Sequence, residues 1–139
     1  MLMEGYWFRS DLFQIEPSED DDVNPGIYGR QLALWLRKRL EDRGQAVLDV
    51  FPEDFGWCVR CQLKPFLLWV GCGSINDHET GDLLPSPDLV TWHCFAVAEL
   101  PLLGRLFGRY DMAPALSRLN LLLKDILESE PTIKLIKQP

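Results

Sequence analysis

The chain lacks any long apolar run. Its 139 residues contain no stretch that approaches the ~20 apolar residues needed to span a bilayer. The first ten residues include Glu4 and Arg9, and their composition is not that of a signal peptide. We therefore expect a cytoplasmic protein without membrane association. In that compartment its four cysteines are expected to be free thiols.

Positive charge is also scarce. The chain has 14 Lys and Arg against 21 Asp and Glu, which gives a formal net charge of −7. An acidic body repels phosphate backbones, so nucleic acid is not an expected partner, whereas basic proteins are attracted. The acidic run before residue 23 is followed by a basic segment that contains Arg30, Arg37 and Arg43. The two segments could also offset each other within one molecule.

Catalytic motifs are missing as well. No Ser, Cys or Thr forms a recognisable nucleophile–base pair with His78 or His93. The Gly-Cys-Gly-Ser stretch at residues 71–74 lacks the spacing and the strand–turn–helix context of a hydrolase nucleophile. Carboxylates are numerous, but their spacing singles out no catalytic pair. We therefore predict no catalytic residues and no cofactor.

Between residues 58 and 94 the chain carries the residue types of a zinc site, namely Cys58, Cys61, Cys72, His78, His93 and Cys94. A structural zinc needs four ligands that converge on one point. Cys58 and Cys61 lie in a predicted strand, where positions three apart face opposite sides of the sheet. No helix follows Cys61 to lower a thiol pKa, as a redox C-x-x-C requires. The pattern therefore predicts buried free cysteines and no metal.

What the chain does contain is the pattern of two amphipathic helices. Asn24 can cap the first helix and Pro25 suits its first turn, while Gly44 is the expected terminator. Its apolar stripe consists of Tyr28, Leu32, Leu36 and Leu40. The second helix is predicted from Pro114 to about Glu128, and a further helical region begins at Pro101.

Alternating apolar residues and short connections predict an antiparallel sheet. The predicted strands cover residues 6–15, 46–51, 57–63, 66–71 and 89–98, with a last edge strand within 132–137. Together these elements form one α+β domain over residues 1–139. It is a two-layer sandwich in which two main helices cover a sheet of about four to six strands.

Three segments of the chain resemble a family of small bacterial proteins of unknown function. They are NPGIYGRQLALWL at residues 24–36, PEDFGW at 52–57 and LWVGCG at 68–73, and the resemblance covers about residues 8–73. It carries no catalytic residues over to this chain. In size, charge and fold class the chain also resembles immunity proteins that neutralise toxins.

These observations favour a protein-binding function. The predicted module neutralises a basic partner, such as a toxin, by occlusion and charge complementarity. The predicted contact residues are Glu19, Asp20, Asp21, Asp22, Glu53 and Asp54. The acidic run could instead stabilise the start of the first helix. The alternative function is an enzyme or small-ligand domain with a pocket between the loop at residues 74–88 and the sheet.

Five tryptophans are many for a chain of this length. Most are expected in the core or on the sheet surface, and tryptophan is also enriched at protein interfaces. The sequence leaves the oligomeric state and the identity of the partner open.

Overall fold

The computed structural model describes residues 2–76, 84–101 and 110–139. Its helices are α1 (Arg30–Asp42) and α2 (Ala113–Glu128). Its strands are β1 (Leu2–Arg9), β2 (Asp49–Glu53), β3 (Gly56–Gln62), β4 (Leu67–Asn76), β5 (Val90–Glu99) and β6 (Lys134–Ile136). The strands form one antiparallel sheet in the order β2-β3-β4-β5-β1-β6, which confirms the predicted α+β class.

Both helices pack on the same face of this sheet. The buried stripe of α1 (Leu32, Leu36, Leu40) and that of α2 (Leu119, Leu123, Ile126) belong to one hydrophobic core. The sheet contributes alternate residues to this core, as the period of a strand requires. They are Val59 of β3, Val70 and Cys72 of β4, Cys94 and Ala96 of β5, and Phe8 of β1. The arrangement has two layers.

The intervening residues of the same strands point to the second face. Cys58 and Val97 are buried, yet they lie outside the core formed with the helices. Trp7, Trp69 and His93 share this second face because they occupy the alternate positions. The sheet is therefore apolar on both sides, although the described helices cover one side.

Several predicted boundaries are wrong. The first strand ends at Arg9 and does not continue to residue 15, because Phe13 leaves the strand and packs against Phe8 and Trp92. The first helix begins at Arg30, since Gly26 has a left-handed φ of 81° that ends any helix started at Pro25.

Other predicted elements are found within a few residues of their expected places. The helix at Ala113–Glu128, the connection at Lys64-Pro65 and the edge strand β6 are confirmed. Most of the helical region predicted after Pro101 lies outside the described residues. Within the described ranges, no helix is long and apolar enough to cross a bilayer.

Candidate functional site

The predicted contact residues come from two segments that the fold brings together. Glu19–Asp22 forms a 3₁₀ turn, while Glu53 and Asp54 lie at the β2–β3 turn. The N–H of Asn24 donates a hydrogen bond of 3.2 Å to the carbonyl oxygen of Asp54. This bond holds the end of the acidic run against the β2–β3 turn, so carboxylates about thirty residues apart in sequence share one surface.

Glu19 does not belong to that surface. It is 6% exposed, and its carboxylate accepts hydrogen bonds from three backbone N–H groups. The donors are Glu16 at 2.9 Å, Gly29 at 3.3 Å and Arg30 at 3.1 Å. Because Gly29 and Arg30 form the N-terminus of α1, Glu19 caps this helix from a distance. Its assignment as a partner contact is therefore corrected.

Asp20 also acts within the chain. It is half-buried, and its carboxylate accepts a hydrogen bond of 2.9 Å from the N–H of Gly26. This bond holds the turn that precedes α1. The local alternative for the acidic run is therefore supported at Glu19 and Asp20.

The other four carboxylates remain at the surface, and we call Asp21, Asp22, Glu53 and Asp54 the acidic corner. None of them forms an ion pair with a described residue. By contrast, three of the four basic residues of α1 already pair with other carboxylates: Arg30 with Glu16, Arg37 with Glu41, and Arg39 with Asp42. The negative charge of the corner is thus not offset by the basic helix that follows it.

A pocket of about 330 Å³ opens beside the acidic corner. Asp22 and Pro52 line it from the two acidic segments, and Leu34 contributes an exposed apolar side chain from α1. Arg30 also borders this pocket, but its guanidinium is paired with Glu16 at 2.8 Å. The pocket therefore combines net negative charge with apolar surface.

The second face of the sheet carries a continuous row of aromatic rings. Trp7 stacks on His93 with ring centroids 3.7 Å apart, and His93 lies 4.9 Å from Phe95. Phe95 contacts Trp69 at 5.8 Å, and Phe55 contacts both of these rings at 5.4 Å. We call these five side chains the aromatic row. It runs from β1 across β5 and β4 to the β2–β3 turn.

Glycines on the neighbouring strands make room for this row. Phe95 is paired in register with Gly5 on β1 and with Gly71 on β4. A Cβ atom at Gly71 would lie 2.2 Å from the Phe95 ring, and one at Gly5 would lie 2.9 Å from Nε2 of His93. The rings therefore lie over bare backbone, as aromatic side chains do when they cover a glycine in a neighbouring strand.

His93 is neutral in this setting. Burial lowers its pKa from 6.5 to about 4, because the imidazolium would lose hydration between the neighbouring rings. At neutral pH the imidazole thus behaves as another aromatic ring of the row. This favours a binding surface over an acid–base site.

The cysteines follow the predicted strand geometry. Cys61 joins the helix-covered core, whereas Cys58 faces the opposite side. Burial raises the pKa of each of these thiols to about 12. The sulfur atoms of Cys72 and Cys94 lie 3.9 Å apart in the core. In the described ranges, no three metal-ligating side chains come together.

The predicted alternative pocket would lie between the loop at residues 74–88 and the sheet. Residues 77–83 of its loop, including His78, lie outside the described residues. The Ser74 hydroxyl accepts a hydrogen bond of 2.8 Å from the N–H of Tyr28 on the helix-covered side. His93 points to the other face, so these two residues are not a nucleophile and its base.

Sequence reasoning missed the aromatic row as a unit. The available signal was β4, which reads LLWVGC with apolar residues at both alternating positions. Such a pattern indicates a strand with two apolar faces. Which rings meet depends on the register between β1, β4 and β5, and this is set by contacts far apart in sequence.

Comparisons with protein-family models, with curated proteins and with solved structures find no match to this chain. The resemblance to a bacterial family and the likeness to immunity proteins therefore stay predictions.

Proposed function

We propose that this protein is a cytoplasmic binding module that neutralises a basic protein partner, in the manner of an immunity or inhibitor protein. The observation that carries the proposal is the acidic corner. Two acidic segments converge there through the bond between Asn24 and Asp54, and their four carboxylates have no ion-pair partner among the described residues.

The proposed mechanism has an electrostatic step and a packing step. Unpaired carboxylates on a molecule of net charge −7 attract a cationic surface and speed its diffusional encounter. The pocket with Leu34 and Pro52 then offers apolar area beside these charges. Protein interfaces usually bury a side chain of one partner in a pocket of the other and place polar and charged residues around it. The bound module would block the partner's functional surface.

The test removes charge from the corner without touching the cap of α1. Asp21→Asn, Asp22→Asn and Asp54→Asn are combined, while Glu19 and Asp20 stay unchanged because they bind backbone N–H groups. The partner is sought among basic proteins encoded beside this gene. Association is then followed by stopped-flow at two ionic strengths. We expect slower association for the variant and a weaker dependence on salt.

A matched control removes the same charge elsewhere. Asp42→Asn, Asp125→Asn and Glu128→Gln alter exposed carboxylates on the outer surfaces of the helices. This control should keep most of the association rate. Equal slowing in both variants would mean that net charge alone matters, and unchanged rates in both would remove the corner from the interface. If no basic neighbour binds, the function itself is overturned.

A further inference from the structure

A second pocket, of about 300 Å³, opens on the face of the sheet that carries the aromatic row. Phe55 and Trp69 line it with rings stacked 5.4 Å apart at an angle of 24°. Phe51 and Cys58 also line this pocket. The volume is at the small end for ligand sites, which begin near ~300 Å³, so the pocket suits one long side chain.

Carboxylates border these rings. Glu53 and Glu99 both line the pocket, and neither forms an ion pair with a residue in the described part of the chain. Glu99 accepts a hydrogen bond of 3.1 Å from the indole N–H of Trp69, which fixes the ring but leaves the negative charge. Two carboxylates without an ion-pair partner among the described residues therefore line the same pocket as these aromatic rings.

The arginine of this pocket does not offset them. Arg60 forms a two-pronged ion pair with Asp49, so its charge is already neutralised. Its guanidinium also lies 5.0 Å from the centre of the Phe51 ring. The chain thus places one of its own cations over an aromatic ring in this pocket, and the Phe55 and Trp69 rings lie free of any such cation among the described residues.

We propose that this pocket binds a cationic side chain, lysine or arginine, of the basic partner. The inference rests on the proposed function and assigns the chemistry of one contact within it. Aromatic faces attract cations through their quadrupole, and nearby carboxylates add to the attraction. Anions are repelled by Glu53 and Glu99, while a neutral apolar chain would leave both charges uncompensated.

Glu53 links the two surfaces. It belongs to the acidic corner and also lines the second pocket. A partner that approaches the corner is therefore positioned to insert a side chain into the aromatic pocket. The corner governs the rate of encounter, and the pocket governs the lifetime of the complex, because desolvated contacts act mainly on dissociation.

The pocket is tested without the partner. The indole N–H signal of Trp69 is observed by ¹H–¹⁵N NMR and assigned by its loss in Trp69→Phe. The protein is titrated with the N-acetyl methylamides of lysine, of arginine and of norleucine, the last being the neutral analogue of lysine. A saturable shift is expected with a cation, about tenfold tighter than with norleucine. The stronger of the two cations identifies the preferred side chain.

Neighbouring residues provide the matched control. Glu53→Gln and Asp54→Asn remove one charge each from adjacent exposed positions, but only Glu53 lines this pocket. Glu53→Gln should weaken cation binding several-fold, and Asp54→Asn should leave it nearly unchanged. Equal weakening would point to a long-range charge effect and overturn the pocket. Equal binding of norleucine and the cations, or no shift, would overturn it as well.

The complex separates this inference from the proposed function. With a partner in hand, Glu53→Gln should speed dissociation more than Asp54→Asn does. If the cations bind the pocket but no basic partner is found, the proposed function fails and the cation site stands. If a partner binds but dissociates equally fast from both variants, the pocket assignment fails and the proposed function stands.

Discussion

Glu19 shows how one carboxylate can cap a helix that begins eleven residues later in the chain. The N-cap residue of α1 is Gly29, which has no side chain to accept the free N–H groups of the first turn. Glu19 accepts two of them and is buried in doing so. The sequence assigns this carboxylate to a surface cluster, but in the structure it stabilises the start of α1.

Replacing Glu19 by Ala should lower the free energy of unfolding by about 1.5–3 kcal/mol, the range for hydrogen bonds to a charged group. Asp21→Ala should change it by less than about 0.5 kcal/mol, because the Asp21 carboxylate is exposed and accepts no hydrogen bond from a described residue, while its backbone N–H keeps its bond to Ser18. Urea unfolding followed by circular dichroism measures both values. Equal losses would show that Glu19 does not cap the helix.

His93 makes stability sensitive to acid. Its pKa is about 4 in the folded protein and near 6.5 when unfolded, so the unfolded chain binds more protons between these values. This contribution to stability is complete above pH 6.5 and is lost as the pH falls towards 4. Below pH 4 both states are protonated and no further loss arises from this residue.

The variant His93→Phe should remove this part of the acid sensitivity and keep a ring between Trp7 and Phe95. Urea midpoints at pH 7 and pH 5 should therefore differ less for the variant than for the parent. The substitution changes no carboxylate, so other effects of acid are common to both proteins and drop out of the comparison. An unchanged difference between the two pH values would refute the buried neutral imidazole.

Among the elements, α1 shows both the strength and the limit of sequence reasoning. Its apolar stripe follows from a 3.6-residue period, which is local, and Leu32, Leu36 and Leu40 are fully buried as predicted. The sequence predicts its start too early, because Asn24 and Pro25 are residue types typical of a helix N-terminus. The true start depends on Glu19, and no local pattern reveals that this side chain folds back onto the helix.

The buried and exposed sides of α1 can be tested with two leucines. Leu36 is 0% exposed and Leu34 is 38% exposed. Leu36→Ala should cost about 2–5 kcal/mol of unfolding free energy, the usual range for a buried leucine. Leu34→Ala should cost far less because its side chain contacts water. Denaturant unfolding measures the loss of free energy in both variants. Comparable losses would show that the assignment of Leu36 to the buried side and Leu34 to the exposed side is wrong.

For the strands, too, local patterns predict the positions of the elements but not the contacts that form the candidate site. Alternating or continuous apolar residues, together with short connections, place five of the six strands near their observed positions. The same alternation could not locate the aromatic row, since Phe55 reaches it from a turn and Trp7 from the first strand. Contacts between such distant residues arise from strand register, which single-sequence patterns do not encode.

At the scale of the whole molecule, stability is distributed unevenly across the sheet. β4 and β5 have strands on both sides and apolar residues on both faces. β6 lies at an edge, has three residues and exposes all of their side chains. Amide protons in β4 and β5 should therefore exchange mainly through global unfolding, while those of β6 exchange through local opening.

Native-state hydrogen exchange at low denaturant distinguishes these two routes. Exchange in β5 should accelerate steeply as denaturant is added, and exchange in β6 should be faster and nearly independent of it. The strand β2, at the opposite edge, serves as an internal comparison. Protection in β6 equal to that in β5 would show that the edge strand is held as firmly as the centre.

The order of strands in the sheet also has a consequence for synthesis on the ribosome. The strand β1 is made before the two strands that it pairs with, β5 and β6, and β5 begins at Val90. At about 5–20 residues per second, synthesis from Arg9 to Val90 takes roughly 4–16 s. During that time β2, β3 and β4 can pair with one another. The aromatic segment at residues 6–8 stays unpaired until β5 and β6 have been synthesised. A chaperone that recognises extended aromatic chain would therefore find β1 unpaired throughout this interval.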